Sequence, residues 1–239
     1  MTQGSAAKFD ATRAGEYARQ SRIALAGYDA CHELSACMLS AALGEEKPAR
    51  VLVVGAGGTG GEIVAAARLE PKWNFVAVDP SSPMLDLART HLANAGVSGR
   101  VEAILGAVAD LDPAPSFDAA IMIGVLHHLP GDAAKQDILA QIATRLQPGA
   151  PLVLAGNYRT YASQPLLMAA WAARWRMNGA GPEEVEAKMG KILQGAEPPR
   201  SEKAVISLLA GAGFDEPLRF FASLFWSAWL ARRVHRPHL

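Results

Sequence analysis

Cysteine is almost absent from this 239-residue chain, which holds only Cys31 and Cys37. Lying six apart in a segment of helical spacing, they point roughly 240° from one another. A disulfide between them is not expected, and two thiols are too few for a metal centre. Both read as buried or idle, and no metal site is expected. Charge of one sign is missing as well: 23 basic and 23 acidic residues give a net charge of +0, which removes the electrostatic basis for binding nucleic acid or an anionic membrane. The cluster Arg232, Arg233, His235 and Arg236 is too short to restore it and reads as the end of a strand or tail. No uncharged run approaches the ~18 residues of a membrane span, and no apolar signal-type segment follows Met1. Repeats and low-complexity tracts are lacking too. These absences predict a soluble, cytoplasmic protein with no nucleic-acid or membrane partner.

What is there is apolar: 50% of the residues are hydrophobic and 19% charged, enough for one core with both faces of a sheet covered. The chain is expected to be a single domain over residues 1–239. Its centre is the stretch 51–63, in which Val51, Leu52, Val53 and Val54 form an unbroken β-former run suited to a strand buried on both faces. Glycines at 55, 57, 58, 60 and 61 then permit a sharp turn into a helix whose first N–H groups favour a ligand with oxygen acceptors.

Before this stretch, residues 1–8 read as disordered. Residues 9–44 carry Tyr17, Ile23, Leu25, Tyr28, Leu34, Met38, Leu39 and Leu43 at helical spacing, predicting a pair of helices. After it, predicted strands at 75–78, 101–105, 117–123 and 151–155 alternate with helices at 60–69, 82–96 and 132–146, as in a doubly wound parallel sheet. Residues 163–197 break the rhythm with a tryptophan-bearing helical pair, read as a lid or a dimer surface. Ala196–Pro199 is its hinge. A last helix and two strands, 217–222 and 224–231, close the chain as a hairpin at the sheet edge.

Taken alone, Gly55-Ala56-Gly57-Gly58-Thr59-Gly60 fits the G-x-G-x-x-G of dinucleotide sites, and Asp79, ending the second strand, stands where a carboxylate would accept from ribose hydroxyls. The later motifs change the ligand. Residues 51–61, 78–85 (Val-Asp-Pro-Ser-Ser-Pro-Met-Leu), 106–111, 117–118, 124–129 (Gly-Val-Leu-His-His-Leu), 146–152 and 210–214 together resemble the class I S-adenosylmethionine-dependent methyltransferases over nearly the whole chain. The resemblance implies a Rossmann-like α/β fold: a seven-stranded, mostly parallel sheet with an antiparallel last strand, N-terminal helices and a helical insert after strand five. It also implies S-adenosylmethionine as cofactor, S-adenosylhomocysteine as product, and a small-molecule acceptor methylated on O, N or C.

By that resemblance Gly55, Ala56 and Gly57 border the methionine part, Asp79 holds the ribose, Pro80 and Met84 flank the adenine, and Ala107 and Val108 meet its edge. Ile123 and Gly124 line the path to the transferred methyl. Tyr17, Arg22 and Tyr28 are the candidates for closing over the cofactor from the N-terminal helices. Tyr28, Tyr158, Trp171, Trp175 and Arg176 are candidates for the acceptor pocket. His127 and His128 stand near the transfer point, where one of them is either a general base or a helix-capping or core residue; as neighbours on one turn they are not expected to face it together. Two positions depart from the family pattern, Val53 and Ala107 being apolar where acids are usual, with Asp110 a compensating candidate.

Three alternatives stay open. Arg176-Met177-Asn178-Gly179 resembles the region by which carboxy-S-adenosylmethionine synthases read their extra carboxylate, although Ala180 stands where their tyrosine should be. The glycine motif alone leaves an NAD(P) oxidoreductase. The losses at Val53 and Ala107 leave a non-catalytic relative of the fold. A homodimer is a further candidate, with Trp171, Trp175, Trp226 and Trp229 as interface or core residues.

Overall fold

A computed structural model of the protein describes residues 11–234, with side chains from residue 16 onwards; Phe9, Asp10, His235 and Arg236 lie outside the described residues. The apolar runs become one seven-stranded sheet in the order β3-β2-β1-β4-β5-β7-β6. Its strands are β1 (Ala49–Val54), β2 (Trp73–Asp79), β3 (Val101–Leu105), β4 (Ala119–Ile123), β5 (Pro151–Asn157), β6 (Leu218–Ser223) and β7 (Trp226–Arg232). The first five are parallel, and β7 runs antiparallel between β5 and β6. The seven-stranded Rossmann-like expectation thus holds, including the antiparallel strand.

The helices are α1 (Ala11–Ala24), α2 (Tyr28–Leu43), α3 (Gly61–Leu69), α4 (Ser82–Asn94), α5 (Gly131–Arg145), α6 (Pro165–Met177), α7 (Pro182–Gly195) and α8 (Glu202–Gly211). Alternate residues of the central strands feed two cores because successive side chains point to opposite faces. Leu52, Val54, Val76 and Val78 pack with α5 and α8, whereas Val51, Val53, Phe75 and Ala77 pack with α2 and α3. Val53 therefore lies in an apolar layer, beside Ala77 and Ile121 in register, where a carboxylate would have no partner.

Element ends moved where tertiary contacts extend or cut a strand. Phe117, expected in the fourth strand, makes only an isolated bridge to Leu146. The fifth strand runs two residues past Ala155 because β7 pairs with it as far as Asn157. Leu34, counted with the inward face of the N-terminal helices, is exposed. All four candidate interface tryptophans are buried within the chain, which corrects their reading as dimer anchors. Cys31 is buried and Cys37 exposed, both as free thiols.

The insert and the N-terminal helix are tied together. A helix leaves its last carbonyls without intrahelical partners, and those of α1 are taken by α6: Trp171 Nε1 donates to Ala24 O at 2.8 Å, Arg174 Nε to Ile23 O at 2.9 Å and Arg174 Nη2 to Arg22 O at 2.8 Å. The guanidinium also complements the negative end of the helix dipole. Beneath them, the two-residue turn between β6 and β7 holds Leu224 at φ 50°. That backbone is unfavourable for a branched side chain, and it accompanies the complete burial of Phe225 against Tyr161 and Trp171.

Candidate active site

Strand order reverses between β1 and β4, and ligands of doubly wound sheets bind at that point, beyond the carboxyl ends of the strands. A cavity of about 600 Å³ opens there, within the range that holds a drug-sized ligand. Gly55, Gly57, Thr59 and Glu62 form its floor; Ile123, Gly124, His127, His128 and Asn157 form one wall; α1, α6 and α7 roof it with Tyr17, Trp171, Trp175 and Lys188.

The glycine loop packs too closely on its neighbours to carry side chains at 57 and 58. A Cβ on Gly57 would sit 2.6 Å from Asp79 Oδ2 and 2.6 Å from Met84 Cβ. Gly58, at φ +103°, would drive one to 2.3 Å from the Tyr17 ring. Asp79 is buried, accepting from the Gly57 amide at 2.9 Å through Oδ2 and from the Ser81 amide at 2.8 Å through Oδ1. Each oxygen keeps a second lone pair, one for each hydroxyl of a ribose diol. Burial pushes its carboxyl above the ordinary value, and the Ser81 and Gly57 amides pull it back. Ala56 and Met84 are buried behind the loop, and Pro80 is half-buried beside Asp79. Val108 is core, whereas Ala107 is half-buried with its N–H donating to Asp110 Oδ2 at 2.8 Å. Asp110 thus sets a carboxylate against the Ala107 backbone, where the family acid was missing.

Three buried polar groups around the expected Tyr28, namely Thr59, His32 and Glu62, were not foreseen. Tyr28 shares a short hydrogen bond with Thr59, and burial raises its phenol to about 12. His32 Nδ1 lies 2.8 Å from Tyr28 O, an atom that only accepts, so Nδ1 carries the proton and the neutral ring presents a bare Nε2. That nitrogen faces Glu62 Oε2 at 3.5 Å. Burial pushes His32 down to about 4 and Glu62 up to about 7, so it favours the uncharged form of both groups. The clue was the i, i+4 spacing of Tyr28 and His32, which puts both on one helical face. Only the fold brings Glu62 opposite.

His127 and His128 both line the cavity; they lie on a short 3-10 turn, Leu126–His128, and their rings sit 4.3 Å apart. The Asn157 amide approaches His127 Nδ1 at 3.4 Å; accepting there leaves the neutral ring its proton on Nε2. Glu197 in the hinge donates its N–H to His127 O at 2.7 Å and accepts from the Gly131 amide at 3.0 Å.

Of the predicted site residues, Ala56, Asp79, Pro80, Met84, Ala107 and Val108 do not line the cavity itself, and Arg22, Tyr158 and Arg176 lie elsewhere. Arg22 points outward in an exposed ion pair with Asp29 at 2.8 Å, its guanidinium over the Tyr28 ring. Tyr158 belongs to the core on the opposite face, edge-on to Trp229 at 5.3 Å. Arg176 is exposed on the outer side of α6, because only one face of that helix, carrying Trp171 and Trp175, turns inward.

Residues 52–152 match the family model described as a methyltransferase domain. A search of curated proteins found no match. Among solved structures, a protein from Bordetella parapertussis described as a possible exported protein aligns with TM-score 0.64 at 19% identity, over 85% of this chain and 67% of its own. The Burkholderia thailandensis 1,6-didemethyltoxoflavin-N1-methyltransferase, solved with its substrate and S-adenosylhomocysteine, aligns with TM-score 0.59 at 23% identity, over 87% and 80%. Human N-acetylserotonin methyltransferase, solved with S-adenosylmethionine, aligns with TM-score 0.55 at 20% identity over 78% of this chain; the chain spans only 48% of that enzyme's length. Likeness at such identities concerns the fold. The methyltransferase-domain match thus falls on the stretch from β1 to β5, and the strand order is that of the Rossmann-like methyltransferase fold.

Proposed function

We propose that the protein moves a methyl group from S-adenosylmethionine to O, N or C of a small molecule. The observation that carries this reading is a single cavity with two unlike ends: a glycine loop beside Asp79 at one, and a wall of tryptophan, tyrosine, histidine and asparagine at the other. Gly55 and Gly57 would lie along the methionine part, Asp79 would take the ribose hydroxyls, and Met84, Pro80 and Ala107 would bracket the adenine. The cofactor's sulfonium supplies an electrophilic methyl.

The chain's own residues supply alignment, for which ~7–11 kcal/mol is available from positioning. Gly124, at the exit of β4, and the Trp226 ring bound the transfer point; a Cβ on Gly124 would already be 3.5 Å from Trp226 Cη2. His127 offers Nε2–H as a donor that orients the acceptor, and His128 is the neighbouring ring for taking up its proton. Helices α1, α6 and α7 form the lid, with 165–195 as its inserted part. The carboxy-cofactor alternative loses its main support, since Arg176 is exposed and does not line the cavity, and the matched domain argues against a dinucleotide enzyme.

Calorimetry with S-adenosylhomocysteine tests the reading. Asp79→Ala removes a charged hydrogen-bond acceptor worth about 1.5–3 kcal/mol, so the Kd should rise roughly 10- to 150-fold. Unchanged affinity would refute the ribose site, and no binding by the unaltered protein would favour a non-catalytic relative.

A further inference from the structure

The acceptor end of the cavity contains a pair of groups that the cofactor does not explain. Asn157 closes β5, Trp226 opens β7, and the two are direct cross-strand partners, so their side chains leave the same face at neighbouring positions. Both line the cavity, and they are only 4% and 9% exposed. Asn157 Nδ2 donates to Tyr161 Oη at 2.7 Å, which orients the amide. Its Oδ1 and the Nε1–H of Trp226 are buried without a partner among the described residues.

Buried polar atoms are rarely left unpaired in folded proteins, and leaving one so is costlier than pairing it. Here one bare acceptor and one bare donor stand side by side, next to Gly124 and edge-on to His127, whose ring centroid is 5.3 Å from that of Trp226. A ligand satisfying both must show a donor beside an acceptor on one edge. The aromatic surfaces around them, Trp171, Tyr161 and the Trp226 ring itself, suit a flat body. Trp175 Nε1 on α6 is likewise buried and unpartnered, adding a donor from the lid.

Resting on the methyltransferase reading, we propose that Asn157 and Trp226 form the acceptor-recognition element and that the acceptor is a planar heteroaromatic ring with an N–H next to a carbonyl. The N–H meets Asn157 Oδ1 and the carbonyl meets Trp226 Nε1–H. Sites built to hydrogen-bond a substrate group reject analogues lacking it far more strongly than apolar pockets sort by size.

Lumazine, a bicyclic dione with N–H beside C=O, and 1,3-dimethyllumazine, which keeps the rings but loses both N–H groups, are the probes. Each is titrated into protein saturated with S-adenosylhomocysteine. Lumazine should bind at least tenfold more tightly. Trp226→Phe should weaken lumazine about tenfold, and Asn157→Leu should bring the two compounds within twofold, while S-adenosylhomocysteine affinity in both variants stays within threefold and reports that they are folded. Should either variant fail to fold, the comparison of the two compounds on the unaltered protein still decides. Equal binding of the two, discrimination that survives both substitutions, or no lumazine binding by protein that holds S-adenosylhomocysteine would overturn the proposal and leave the methyltransferase reading standing. Failure to bind S-adenosylhomocysteine at all would instead overturn that reading, and this one with it.

Discussion

At its glycine-loop end the cavity is lined from one continuous strand-turn-helix, with Asp79 of the neighbouring strand hydrogen-bonded to that loop; at the other end it is lined by side chains drawn from β5, β7, α6 and the turn after β4. The first end has almost no freedom to vary. A methyl group on Gly57 has nowhere to go, and Asp79 is fixed by two amides. The second end depends on packing: Phe225, Tyr161 and Trp171 hold one another, with Tyr161 and Phe225 edge-on at 5.1 Å. A cofactor common to many reactions suits the rigid end, and a particular acceptor suits the adjustable one.

The sharpest way to break this contrast is Gly57→Ala. With contacts of 2.6 Å to Asp79 and Met84, overpacking of roughly 1–3 kcal/mol should fall on the cofactor end, weakening S-adenosylhomocysteine up to about 100-fold while the melting temperature moves little. If stability collapses with affinity, the loop belongs to the core rather than to the ligand.

Glu62, between the two ends, gives a smaller effect with a definite pH signature. Its folded value of about 7 lies above the ordinary 4.5 of a glutamate, so its proton stabilises the fold fully below 4.5, and that contribution is lost as the pH rises through 7. The loss is at most roughly 3 kcal/mol. Glu62→Gln, neutral at every pH, should therefore match the parent near pH 4.5 and exceed it in urea denaturation at pH 8.5. His32, with a folded value near 4 against 6.5, loses stability in both proteins as the pH falls between those values and drops out of the difference. Parallel pH profiles for the two proteins would show that the carboxyl is not held uncharged.

Arg176→Ala is the near-silent control. Exposed and away from the cavity, it should change stability by less than about 0.5 kcal/mol and cofactor affinity by less than twofold. A tenfold loss in isothermal titration would return it to the site.

Legibility followed the same division. Gly55, Gly57 and Asp79 could be read because a strand, a glycine turn and a strand-end acid are local signals whose spacing survives any packing. Asn157 could not, since it lies beyond the point where β5 was expected to end, and its pairing with Trp226 joins residues 69 positions apart. Tyr158 and Arg176 were misplaced for a related reason: an aromatic or a cation at helical or strand spacing does not say which layer it faces. His127 and His128 reach the cavity wall from a 3-10 turn that no periodicity announced.

The sequence by itself determined the order of strands and helices, the glycine turn and the acid that follows it, because backbone preference and alternation of apolar residues act over a few neighbours. Tertiary structure alone decided that Val53 faces an apolar layer while Glu62 and His32 face each other at the cavity floor. It also set the Trp171 and Arg174 side chains as the cap of α1, and Asn157 beside Trp226. Each of these depends on which distant surface arrives opposite a side chain, and that is fixed only when the whole sheet and its covering helices have closed.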